Sequence, residues 1–381
     1  MPHDNQLERK SPLSPVAGAD PDAPAGPEPG IALCLSGGGY RAMLFHVGVV
    51  WRLHDAGWLQ RLDRVSSVSG GSITAGALAL AWPRLAAEGL ESSFVAPVRA
   101  LAGRTVDATS VIAGALTSDT ISERVAKAYR RHLFGEATLQ DLPDAPRFII
   151  NATSVQSGAL FRFSKPYMAD WRVGRVNAPT VALADAVAAS SAFPPVLSPF
   201  ELDLRDAVWT DEPGNELAGE YRERAGLSDG GVYDNLGLET AWKACRTVLV
   251  SDAGGQMAAE PDPDHDWGRH LFRVLGVIDN QVRSLRKREC VDAFISGQRL
   301  GAYWGIRTDI ADFGLADPLP APHAATMALA TLSTRLARLD DVVQERLINW
   351  GYAACDAGLR KHVDPSVPAP AGYPYPAAGV A

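Results

Sequence analysis

A strand, a glycine-rich turn and a helix follow one another twice between Ile31 and Trp82, and this repeat restricts the fold more than any other feature. In the first copy the apolar run Ile31–Leu35 passes through Ser36-Gly37-Gly38-Gly39 into a helical pattern from Tyr40 to Asp55, with Gly57 at its stop. In the second, Arg64–Val68 passes through Ser69-Gly70-Gly71 into an apolar helix, Ile73–Trp82, closed by Pro83. Such repetition predicts an α/β fold with a parallel sheet and crossover helices. Further strands are expected at 147–154 and 159–164, joined by a short turn at Gln156–Gly158, and at 247–255, where TVLVSD runs into glycines. A helix at 184–190 should end before Pro194-Pro195, and two long helical patterns cover Gly268–Arg288 and Ala324–Trp350.

No internal linker divides the body, so one domain over 31–363 is predicted, with its motifs in 31–255 and a helical part at 268–350. Segments 84–135 and 256–330 are candidates for a lid or cap. Seven prolines fall in residues 1–30 and five in 364–381, so both ends read as flexible, Pro-rich tails with too little apolar surface to offset ordering. With 46% hydrophobic and 21% charged residues, disorder of the whole chain is excluded. A net charge of −8 argues against a nucleic-acid partner. Four dispersed cysteines (34, 245, 290 and 355) make neither a disulfide framework nor a zinc cluster. Neither a secretory leader nor an apolar run of the ~18 residues that span a bilayer is present, so the expected location is cytoplasmic, at most peripheral to a membrane.

The Gly37-Gly38-Gly39 turn leaves backbone N–H groups bare at a helix N-terminus, which suits a phosphate or a developing oxyanion. Gly37, Gly39 and Ala42 also fit the dinucleotide fingerprint, but the next strand lacks the carboxylate that fingerprint requires, and no P-loop lysine follows. Gly70-Gly71-Ser72-Ile73-Thr74 resembles a G-x-S-x-G nucleophile elbow, with Thr74 in place of the second glycine. Ser69, preceded by Ser67, is the alternative serine; helix capping is the plainer role for both. Asp229-Gly230-Gly231 puts a carboxylate on another glycine-rich turn, where it can serve as a base or as an ordinary surface turn.

Together these three segments resemble the patatin-like phospholipase family, as does Ala189–Val196 (ASSAFPPV). The resemblance implies a three-layer α/β/α sandwich with a mainly parallel central sheet and a serine lipid acyl hydrolase of the phospholipase A or lysophospholipase kind. It also implies Ser72 as nucleophile, Asp229 as its base, and an oxyanion hole from Gly37, Gly38 and Gly39, with Arg41 as the basic residue that follows. Gly70 and Gly71 shape the elbow, and Gly230 and Gly231 the aspartate turn. No cofactor or metal is expected, because Asp262, Asp264 and Asp266 have the wrong spacing for a calcium loop. The expected partner is a lipid at a membrane surface, with no obligate protein partner. A nucleotide-binding Rossmann domain and a non-catalytic lipid-binding member of the fold are the competing readings. A triad through His265 or His270 is a further alternative. His46 reads as a satisfied core residue, and the run Arg283, Arg286, Lys287, Arg288 as a solvated helix face or a contact for anionic headgroups.

Overall fold

β1 (Glu28–Leu35) runs through the centre of five parallel strands, in the order β11 (Leu300–Gly305), β10 (Cys245–Asp252), β1, β2 (Arg64–Val68) and β3 (Arg147–Ser154). The computed structural model describes residues 27–106 and 120–381, apart from Pro213 and Thr334; most of the expected N-terminal tail lies outside them. Leu33 pairs with Leu249 on one side and Val65 on the other. Because successive side chains point to opposite faces, β1 serves two cores. Leu33 and Leu35 join the larger one with α1 (Gly39–Asp55), α2 (Gly70–Ala81) and the helix Asp341–His362. Ala32 and Cys34 pack with Leu238, Ala241 and Cys290, from the helices Leu238–Trp242 and Trp267–Ile295. The result is the expected three-layer sandwich around a parallel central sheet.

Beyond β3 the sheet turns antiparallel through β4 (Leu160–Phe163), β5 (Tyr167–Asp170), β6 (Gly174–Asn177) and β8 (Trp209–Thr210). A second antiparallel pair, β7 (Phe200–Asp203) and β9 (Arg224–Asp229), joins β3 from the other side. This pairing positions the site. β2 ends with Val68 opposite Asn151, and β9 takes over at the next residue of β3, with Asp229 opposite Ala152. The chain leaving β2 therefore meets the end of β9 tip to tip.

Three expectations are corrected. The single helix read over Ala324–Trp350 is two, His323–Ala330 and Asp341–His362, because the carbonyls of Ala330 and Leu332 turn out of the helical ladder to the Arg41 guanidinium. Residues 364–381 are not a loose tail. Asn349 donates to the carbonyls of Tyr375 (2.8 Å) and Gly379 (2.7 Å), the Tyr375 ring packs edge-on to Trp51, and Val380 is buried. Proline content suggested disorder, but side chains distant in sequence satisfy this backbone. Three of the four residues of the basic run are turned inward, with Arg288 alone left exposed: Arg283 donates to the Gly255 carbonyl, Arg286 pairs with Glu239 and Lys287 with Asp252. Among the described residues no helix is long and apolar enough to cross a membrane.

α1 is enclosed along almost its whole length, between the sheet and Asp341–His362. The two helix backbones touch at Gly48 and Gly351, where an added methyl group would lie 1.9 Å from the Ile348 carbonyl oxygen and 1.8 Å from that of Phe45. Arg52 and Asp356 close the same interface with a buried ion pair at 2.8 Å. Gly48→Ala or Gly351→Ala should destabilise the protein by about 1–3 kcal/mol or more through overpacking. Gly372→Ala, which meets nothing nearby, should leave the thermal midpoint unchanged; denaturation of the three variants checks this.

Candidate active site

Ser69 occupies the single residue between β2 and α2, with φ 53° and ψ −120°. Only Ala178 shares a positive φ among the described non-glycine residues. Such a backbone costs roughly 1–3 kcal/mol and lasts only where its surroundings enforce it. Here they do. The Ser69 N–H donates to Ser190 Oγ (3.0 Å), and the Ser69 carbonyl accepts from the N–H groups of Ser72 and Ile73. Glycine is required on both following positions: a methyl group at Gly70 would lie 2.2 Å from the Gly39 carbonyl oxygen, and one at Gly71 2.3 Å from that of Leu35. The elbow is thus wedged directly against the first glycine turn.

Asp229 ends β9 and is buried. Its backbone N–H donates to Ala192 and its carbonyl accepts from Thr153 Oγ1, which fixes the turn. Burial raises the carboxyl to about 6, against hydrogen bonds from the Gly231 N–H (2.7 Å) and the Ser69 hydroxyl. Gly230 donates to the Ser190 carbonyl and presses on Asn151, whose carbonyl oxygen would lie 2.3 Å from an added methyl group. Ser190 therefore ties both turns together, its hydroxyl holding Ser69 and its carbonyl holding Gly230. The ASSAFPPV segment carried that signal in the sequence, but nothing in it marked which serine formed the bridge.

The residue acting on the Asp229 carboxyl is Ser69, and Ser72 makes no recorded contact with it. Ser72 is completely buried, its hydroxyl 3.0 Å from Ser67 Oγ and 2.9 Å from Ser190 Oγ. It lies in the first turn of α2, and those two serines take up its hydroxyl. The strained turn falls within Ser67-Val68-Ser69-Gly70-Gly71, where a glycine stands two places after Ser69 and a serine two places before it. Thr74 is outside that stretch, and donates to the Met43 carbonyl of α1.

The Gly37-Gly38-Gly39 turn adjoins Ser69: a methyl group at Gly37 would lie 3.1 Å from Ser69 Cβ. The Gly37 N–H already donates to the Asn235 carbonyl (3.1 Å). The N–H groups of Gly38, Gly39 and Gly70 meet no acceptor among the described residues. Arg41 is a brace rather than a donor to substrate. Its guanidinium, brought down to about 10 by burial, holds the carbonyls of Ala330 (2.9 Å), Leu332 (2.7 Å) and Ala253 (2.8 Å). Asn235, on no list of candidates, places its side chain between Gly37 and Gly231; its position six residues after Asp229 was the only hint. His46 bonds Ser251 Oγ and the Ser36 carbonyl inside the core, while His265 is exposed just before the helix Trp267–Ile295 and His270 is exposed on it. Among the described residues no group of three or more His, Cys, Asp or Glu is arranged to hold a metal ion.

A hydroxyl on a strained elbow, a buried carboxyl beside it and unpartnered N–H groups opposite form a constellation suited to acyl transfer. A sequence model of the family described as patatin-like phospholipase matches residues 33–242, more than half of the chain. The chain belongs to that family. No curated protein matches it. Among solved structures it is similar to human GIVD cytosolic phospholipase A2, in complex with methyl gamma-linolenyl fluorophosphonate (TM-score 0.49, 13% identity, 86% of this chain and 57% of that one). It is also similar to VipD from Legionella pneumophila (TM-score 0.35, 15% identity, 87% and 66%). The chain thus spans little more than half the length of the human enzyme.

Two stability effects follow from this geometry. Ser69→Gly should be more stable than Ser69→Ala by about 1 kcal/mol, since only glycine accepts that backbone without strain. The Asp229 carboxyl titrates near 6 when folded and near 3.8 when unfolded, so folding loses stability as pH rises between those values. Asp229→Asn should therefore stabilise the protein at pH 8 by on the order of 2–3 kcal/mol, and have almost no effect at pH 4. Thermal melts across pH check both.

Proposed function

We propose that the chain is a serine hydrolase of lipid carboxylic esters, with Ser69 as nucleophile and Asp229 as general base. The observation that carries the reading is the placement of the Ser69 side chain, on a strained elbow, beside a buried carboxyl raised to about 6. A base is most effective when its pKa lies near the working pH, and a solvated carboxylate would be too weak. Asp229 takes the Ser69 proton as Oγ attacks the ester carbonyl. The tetrahedral oxyanion is held by the N–H groups of Gly38 and Gly39, with Gly70 contributing from the start of α2. Collapse expels the alcohol, which recovers the proton from Asp229 and leaves an acyl group on Ser69. Water, deprotonated by the same carboxylate, then releases the fatty acid. The burial of Ser72, the engagement of the Gly37 N–H and the exposure of His265 and His270 all favour this assignment over the one read from the sequence. Lipid as substrate is supported by membership of the family.

A fluorophosphonate probe should label the wild type and Ser72→Ala but not Ser69→Ala. Loss of labelling in a folded Ser72→Ala protein, with labelling retained in Ser69→Ala, would overturn the assignment. Turnover of a soluble ester should fall by a factor of about 10⁴ or more in Ser69→Ala. The wild-type kcat/KM should rise with pH through a midpoint near 6, the value for the Asp229 carboxyl, and Asp229→Asn should lack that limb.

A further inference from the structure

The helix Trp267–Ile295 presents the wrong side to the protein. A helix packed on a body ordinarily turns its apolar stripe inward. Here Trp267, Leu271, Leu275, Ile278, Val282 and Leu285, which fall on one side at helical spacing, are between 39% and 83% exposed. The side that faces the body is apolar only near its C-terminal end, at Cys290 and Ala293; before that it is polar, with Arg283 reaching the Gly255 carbonyl and Lys287 the buried Asp252. The helix cannot roll to cover its apolar side without leaving Asp252 unpaired. It also stands beside the catalytic turns: Arg286 lies 5.9 Å from the Tyr233 ring, and Asp279 is close enough to help raise the Asp229 carboxyl. Two more exposed apolar side chains, Phe193 at 66% and Val232 at 53%, follow Ser190 and Asp229 on those same turns.

We propose that this apolar side is the surface by which the protein docks on a lipid layer, bringing the turns that carry Ser69 and Asp229 against the bilayer. The inference rests on the lipid-hydrolase reading. That reading also selects the occupant, because a second copy or another protein seated on the helix and the turns would obstruct the approach to Ser69, whereas a lipid layer covers the face and supplies the substrate. Exposed His270 and Arg288 border the stripe and complement headgroup phosphates. Docking is led by apolar insertion rather than by the Arg283–Arg288 run, most of which is committed to ion pairs inside.

The test compares the full chain with Leu271→Gln/Ile278→Gln/Leu285→Gln, substitutions at exposed positions that keep helix propensity. Co-sedimentation with mixed phosphatidylcholine–phosphatidylglycerol vesicles should fall by about tenfold or more in the triple variant. Hydrolysis of a soluble p-nitrophenyl ester should be unchanged. Equal vesicle binding by both proteins would overturn the proposal. So would a wild type that ignores vesicles but forms a dimer in sedimentation velocity that the triple variant loses, since the occupant would then be a second copy. If the wild type binds vesicles through these residues yet hydrolyses no ester, docking stands and the hydrolase reading fails.

Discussion

The backbone of Ser69 is held where an L residue would not go unaided, and the rest of the active edge is arranged around that constraint. Its N–H is taken by Ser190 Oγ, and Ser190 in turn donates to the Asn151 carbonyl at 2.6 Å. Gly70 lies against Gly39, Gly71 against Leu35 and Gly230 against Asn151, at separations no side chain could enter. Three glycine turns from three strands therefore interlock through their backbones. The strain, roughly 1–3 kcal/mol, is small beside the packing that enforces it. Its effect is to lift one hydroxyl clear of α2, toward β9.

Much of this was legible because the parallel strands announce themselves as apolar runs ending in glycine. Strands Ile31–Leu35 and Arg64–Val68, the helices that follow and the Asp229 turn all appear in the structure close to where they were read. What escaped was non-local. A glycine stands two places before Ser72 and a serine two places before Ser69, but β9 replaces β2 on the edge of β3 and ends beside Ser69, which no local pattern reveals. Gly37 looked equivalent to Gly38 and Gly39 until Asn235, almost 200 residues away, claimed its N–H. The order of residues 364–381 depends likewise on Asn349 and on the Trp51 ring. In each case the residue types were visible and their partners were not.

Two buried aspartates end neighbouring parts of the sheet, and their surroundings drive them in opposite directions. Burial disfavours the charge on both. At Asp252 the ion pair with Lys287, the nearby Arg283 and the Tyr303 hydroxyl overcome that penalty and hold the carboxyl below its usual range. Asp229 has a backbone N–H and a serine hydroxyl instead of a cation partner, so its carboxyl stays raised. Such a divergence separates a structural carboxylate from one poised to exchange a proton. Asp252 spends its charge on architecture, anchoring the helix Trp267–Ile295 and, through the Gly254 N–H, the loop whose Ala253 carbonyl receives Arg41.

That anchoring explains why the outer helix tolerates an exposed apolar side. Leaving a half-exposed leucine or isoleucine in water forgoes on the order of 1 kcal/mol each. Rolling the helix would recover that, but would separate Lys287 and Arg283 from Asp252 and leave a buried carboxylate uncompensated, at a cost of about 3–5 kcal/mol. It would also carry Arg283 away from Gly255 and Arg286 away from Glu239. The polar contacts are fixed by the same loop that braces the oxyanion turn, so the helix is oriented by the site beneath it. Its outward face is what remains once that orientation is set, and a contiguous exposed apolar surface of this kind marks a site of interaction.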